Sequence, residues 1–320
     1  MRQFVRWSWF ACVAAAALLG AVERATAQDR VDAAAEQPLM RWKLEAAQKF
    51  KLTQTQKMNM EMNVGGQPFK MDLDMEMNMG WNVDEVASDG KAKMTQTVDR
   101  VKMDMTMANQ SMKFDSATPD QADPAGQALA QAIQPLIGAK ITQTMDARGK
   151  IDDIQIDPEV RKKMQAAGAG FGGGLSEDSL KQMFEQIGGL PDKAVAPGTK
   201  WSETIDMSVP GTRAGMKIDS TYYGIEDRGG RKLARIDTKF SLGDASPAPA
   251  DVKDDEEGED EPQLEIKSLE GDGKTWFDVE AGRLVEADSK VDMVMSLDLG
   301  GQKVDQKVKV TSRVVVEPAK

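Results

Sequence analysis

LTQTQKMNMEMNVGGQPFKMDLDMEMNMGW, residues 52–81, carries an apolar side chain on every second position through Met58, Met60, Met62 and Val64, then Phe69, Met71, Leu73, Met75, Met77, Met79 and Trp81. The positions between are almost all Asn, Glu, Asp or Lys. Period two marks a strand with one dry and one wet face. Gly65-Gly66, between the two runs, reads as a hairpin turn because glycine reaches positive φ without steric cost. Lys51–Val64 alone spans about 45 Å at ~3.3 Å per residue, far longer than a usual strand of about 5–6 residues. Strands of that length coil and curve. The stretch predicts a large bent antiparallel sheet, a half-barrel, with a methionine-lined concave face.

The same alternation runs outward. Strands are expected near 51–64, 69–83, 91–107 and 111–115. In the third, apolar residues sit on even positions through Ala92, Met94 and Val98, then on odd positions through Val101, Met103, Met105 and Met107. One extra residue near Asp99-Arg100 would keep both halves on one face, so a β-bulge is predicted there. Residues 141–156 read as a hairpin turning at Ala147-Arg148-Gly149-Lys150. From Trp201 onward the chain returns to strands, with turns at Pro210-Gly211, Arg228-Gly229-Gly230 and Ala281-Gly282.

Helix signals fall between these strands. Asp123-Pro124 caps a helix to about Ile137. A short helix is expected over 158–167. A third, over 176–187, would carry Leu180, Met183, Phe184 and Ile187 on one face. Placed on the concave side, they make the fold class α+β: a long-stranded, strongly curved antiparallel sheet with about three helices.

Arg2 and Arg6, the apolar run from Phe10 to Val22 and Ala25-Thr26-Ala27 together read as a secretory signal over residues 1–27. Residues 28–39 form a flexible leader, and 40–320 a single curved-sheet domain. DDEEGEDE lies within 244–262, expected to be a disordered acidic loop. Loss of the signal removes three positive charges and one negative, taking the formal net charge from −11 to −13. An exported chain this acidic suits neither nucleic acid nor anionic lipid surfaces, and the expected location is periplasmic or secreted. The lone cysteine, Cys12, leaves with the signal, and the chain has no histidine. Disulfides, Ser-His-Asp and Cys-His nucleophilic sites and the familiar zinc sites are excluded. No enzyme activity and no cofactor are expected.

The remaining candidates are side chains on the dry face. Methionine adapts to irregular or variable apolar partners. Met58, Met60, Met62, Met75, Met77, Met79 and Trp81 would line a hollow holding a lipid or a lipoprotein acyl chain, with Leu180, Met183 and Phe184 as a lid. Two other readings stand beside it: a structural or interaction module with a fully packed core, and Cu(I) held by thioethers. Thr53-Gln54-Thr55, Thr95-Gln96-Thr97 and Thr142-Gln143-Thr144 repeat one tripeptide. By parity Gln54, Gln96 and Gln143 face the apolar side, either pairing with one another or meeting a ligand head group. Gly168–Gly173 and Gly273-Lys274-Thr275 imitate nucleotide loops without the strand and helix context those loops need.

The segment 58–67, MNMEMNVGGQ, is echoed by 293–302, MVMSLDLGGQ, which suggests related hairpins within one sheet. On Lys49-x-Lys51-x-Thr53-Gln54-Thr55-Gln56-Lys57-Met58-x-Met60, Gln96–Met103, Met145-Asp146-x-x-Gly149-Lys150 and Gly198-x-x-Trp201, the chain resembles a family of exported bacterial proteins of unknown function. Its layout is also similar to LolA/LppX-type lipoprotein carriers, which implies an incompletely closed barrel with helices at its mouth.

Overall fold

The computed structural model describes residues 37–64, 66–107, 110–119, 126–127, 130, 133–159, 162, 189–209, 212–244, 263–298 and 303–319. Among these residues twelve strands form one sheet: β1 Lys49–Val64, β2 Gln67–Val86, β3 Ala92–Met107, β4 Gln110–Asp115, β5 Lys140–Met145, β6 Ile151–Ile156, β7 Lys200–Val209, β8 Thr212–Arg228, β9 Arg231–Gly243, β10 Gln263–Asp278, β11 Arg283–Asp298 and β12 Lys303–Pro318. Their order is β6-β5-β3-β2-β1-β12-β11-β10-β9-β8-β7, with β4 beside β3. The first and last long strands meet at the centre, where Met58 lies opposite Val310 and Met60 opposite Val308.

The expected α+β class is overturned. Over the described residues the protein is nearly all β, one open antiparallel sheet. In the segment expected as a helix over 124–137, the described residues show isolated helical backbone at 126, 127, 130 and 133, followed by a 3-10 turn, Gln134–Leu136. Isolated helical backbone at residues 158, 159 and 162 is all that is described of the second expected helix, and the third, over 176–187, lies outside the described residues. The reason is one of scale. Caps and short apolar spacings report local preference alone, whereas strands of 16 to 20 residues commit the chain to one sheet.

The strand predictions hold over the described residues; the expected turn at Pro210-Gly211, the signal over 1–27, the leader over 28–36 and the acidic loop over 245–262 lie outside them. Val64 pairs with Gln67 across Gly65-Gly66, and Gly66 has φ +82°. The bulge falls where parity required it: Asn78 faces Arg100 and Met79 faces Val98, which leaves Asp99 extra. There β3 also changes partner, from β4 along Lys102–Met107 to β5 along Ala92–Thr97. The Arg228–Arg231 turn holds Gly229 and Gly230 at φ +61° and +78°, as a type I′ hairpin needs.

Hydrogen bonds at one end show that the sheet curls. Trp42 N donates to Ala147 O and Lys43 N to Gly282 O, each at 2.8 Å. Ala147 sits in the β5–β6 turn and Gly282 in the β10–β11 turn, and β5 and β11 are five strand steps apart. A flat sheet would separate them by about 24 Å at ~4.8 Å per step. Two consecutive residues span the gap, so residues 38–43 form a strap across a strongly bent sheet. The outer strands are bridged at the same end. Leu190 N donates to Arg148 O (3.0 Å), beside β6, and Gly189 N to Glu203 Oε1 on β7 (3.0 Å). Arg148 Nε donates to Leu190 O, and Trp201 Nε1 to Gly189 O.

The echoed hairpins share this geometry. β1–β2 and β11–β12 run the same way, two strands apart. Met60, Val308 and Met293 share one transverse row, whereas the sequence echo aligns Met58 with Met293. The repeat is therefore a two-strand step with a two-residue shear.

Candidate functional site

The alternation places one face of the sheet out of water. Met58, Met60, Met62, Met77, Met79 and Trp81 are buried, and Met75 is partly so. They belong to one apolar cluster that reaches from β2 and β3 through β12 to β8. The methionines are spread over successive rows, with Met60, Met71 and Met107 in one and Met58 and Met105 in the next. They form a flexible wall rather than a converging set of sulfurs, which is the geometry of packing or of a broad apolar contact.

At the strap end the wall meets polar groups. Trp42 packs on Trp81 with ring centroids 6.4 Å apart and edge-on to Phe277 at 6.0 Å. Trp81 lies opposite Gln96, and Gln143 sits on the adjoining strand opposite Met94 and Ile154. Both glutamines are 1% exposed. Gln96 Nε2 donates to Met79 Sδ at 2.8 Å, a weak acceptor. Gln96 Oε1, both polar atoms of Gln143 and Trp81 Nε1 are buried without a hydrogen-bond partner. Gln96 and Gln143 therefore do not pair with each other. Gln54, on the same face, is 7% exposed. Tyr222 on β8 adds another buried, unpartnered hydroxyl, and burial pushes its pKa up.

Such groups carry a cost. A buried donor or acceptor left unmet forfeits about 1–3 kcal/mol. Trp81, Gln96 and Gln143, on three neighbouring strands, make a neutral, hydrogen-bonding patch at the strapped end of an apolar face. Glu203, at the β7 edge, has its carboxyl pKa raised by burial, while the Gly189 N–H and Arg148 partly offset that shift.

The lid residues Leu180, Met183 and Phe184 lie outside the described residues. Among the described residues no group of His, Cys, Asp and Glu could hold a metal ion, and no helix is long and apolar enough to cross a membrane. Sequence reasoning missed Met40, Trp42 and Tyr222. Met40 and Trp42 stand in the non-periodic strap, and the one available signal was their two-residue spacing at the edge of the leader.

A "Family of unknown function (DUF6263)" matches residues 89–229. No curated protein matches the chain by sequence. Among solved structures, lipovitellin shares 8% identity at TM-score 0.47, over 87% of this chain, which spans 26% of the lipovitellin chain. A protein with a YmcC-like fold from Bacteroides fragilis shares 9% identity at TM-score 0.30, over 88% of this chain and 100% of that one. The translocator domain of the autotransporter NalP from Neisseria meningitidis shares 7% identity at TM-score 0.20, over 85% of this chain and 89% of the domain. None of these likenesses carries a functional argument, and no likeness to LolA/LppX-type carriers emerges among them.

Proposed function

We propose that this chain is an exported, non-enzymatic binding protein that shelters a hydrophobic ligand, a lipid or acyl chain, against the inner face of its curled sheet. Export rests on the signal-like residues 1–27. The observation that carries the binding reading is the cluster of orphaned polar atoms on Trp81, Gln96 and Gln143 at the end of a methionine wall. A fully packed module would gain from apolar residues there, because replacing an unmet polar group by an apolar one is neutral or stabilising. A guest with an uncharged polar end satisfies both the wall and the patch. Methionine suits a variable guest, since its unbranched thioether chain repacks around different shapes.

The test is native mass spectrometry of the protein purified from its own host, paired with titration of a neutral apolar fluorophore such as N-phenyl-1-naphthylamine. Co-purifying lipid and saturable fluorophore binding are expected. A ligand-free protein that binds no fluorophore would instead be the packed interaction module.

A further inference from the structure

The register of the sheet brings together six residues that no sequence motif connects. Gln56 on β1 lies opposite Ser312 on β12, Ser312 opposite Ser289 on β11, and Ser289 opposite Gly273 on β10. Gly273 lies opposite Thr238 on β9, and Thr238 opposite Ser220 on β8. Directly opposed residues of an antiparallel ladder share a face, so these six form one transverse row on the inner side. Five strand steps at ~4.8 Å make the row about 24 Å long along the curve. Every member is buried, with Ser289 at 0% and Ser312 at 2% exposure. The next row toward the far end returns to apolar residues, Met58, Val310 and Val291, while the row toward the strap mixes Val314 and Ala287 with Gln54 and Thr275.

The row is small, uncharged and rich in hydroxyls. Ser289 and Ser312 stand opposite each other on adjacent strands, and neither Oγ has a hydrogen-bond partner. A packed apolar core has no use for two orphaned hydroxyls at facing positions, where alanine would fill the same volume without the penalty. A guest that presents acceptors at this depth removes the penalty. The row contains no formal charge, so a carboxylate or phosphate would find no counter-ion in it. Carbonyl oxygens of esters match what the hydroxyls offer: each is a neutral acceptor, and each is flanked by hydrocarbon that would lie on the apolar rows.

We infer that this row is the contact for the ester backbone of a neutral acylglycerol-type lipid, with its acyl chains running along the strands over the apolar rows of Val310 and Val308, away from the strap. This deepens the binding reading above and rests on it.

The experiment uses the mature full-length chain loaded with N-phenyl-1-naphthylamine, displaced either by dioleoylglycerol or by squalane, an ester-free hydrocarbon of comparable bulk. The wild type should release the fluorophore at roughly tenfold lower dioleoylglycerol than squalane, the worth of one or two hydrogen bonds. Ser289→Ala with Ser312→Ala should erase that preference while keeping fluorophore affinity and a melting temperature at or above that of the wild type, and Ser312→Thr, which retains a hydroxyl, should keep the preference. Equal potency of the two competitors on the wild type, or an undiminished preference in the double variant, overturns the inference and leaves the binding reading standing. Failure of the wild type to bind the fluorophore removes both. Should the double variant lose the fluorophore as well, the wild-type comparison alone decides.

Discussion

Gly282 and Gly229 form a natural pair for testing the strap. Both sit in tight turns at nearly the same backbone angle, φ +60° and +61°. A methyl on Gly229 would meet nothing within 4 Å. On Gly282 it would stand 2.3 Å from Lys43 Cγ, 2.4 Å from Lys43 Cβ and 2.7 Å from Lys43 N. Placing alanine in the left-handed region costs about 1–2 kcal/mol at either site. At Gly282 the strap backbone must also move. That adds an overpacking cost of about 1–3 kcal/mol, and the bond from Lys43 N to Gly282 O, worth about 1 kcal/mol, is strained or lost. Gly229→Ala should therefore lose about 1–2 kcal/mol and Gly282→Ala about 3–6 kcal/mol. Urea unfolding followed by tryptophan fluorescence reads both, and the Gly282 variant should also show altered native emission as Trp42 shifts against Trp81 and Phe277. Equal losses in the two variants, with unchanged native emission, would show that the strap does not bear on Gly282 and that the argument for the bend is unsound.

Three further outcomes follow from the same structure. Met58→Trp should lose less than about 1 kcal/mol and weaken fluorophore binding if the wall borders a hollow, whereas a filled core would lose about 1–3 kcal/mol through overpacking; thermal melts and fluorophore titration together separate the cases. Two carboxyls should pull acid stability in opposite directions. Burial raises the Glu203 pKa above 4.5, so its ionised form costs stability above the folded pKa and that cost fades as pH falls toward 4.5; Glu203→Gln should be the more stable protein at pH 7, and the gap should close by about pH 4. The Arg100 guanidinium lowers Asp115 from 3.8 to about 2, so its contribution is present above pH 3.8 and disappears as pH falls toward 2; Asp115→Asn should flatten that part of the unfolding curve. Deleting Asp99 removes the residue that keeps both halves of β3 on one face, and the expected result is insoluble or unfolded chain by circular dichroism. A soluble, fully β deletion variant would mean that the register can slip without loss.

The strands were legible because alternation is a local signal. Met58 to Trp81 states which side chains face inward without reference to any other part of the chain, and even the Asp99 bulge could be placed from a change of parity between Val98 and Val101. The helices misled for the same reason: Asp123-Pro124 describes a local start, and nothing local says whether a helix becomes a layer of the fold. The strap was hidden because Trp42 has no periodic company, and its partners, Ala147 and Gly282, lie more than 100 residues further along the chain. The transverse row was hidden more deeply. Alternation fixes burial, but a strand slipped by two residues along its neighbour would bury the same face equally well. Burial alone therefore cannot explain why Ser312 stands opposite Ser289, or why Gly273 and Thr238 continue that line. Lateral order of this kind depends on register, and register is set here by the bulges and by the glycine turns. The row is the part of the inner face that hydrophobic patterning leaves unaccounted for, and so the part where selection for a guest would leave its mark.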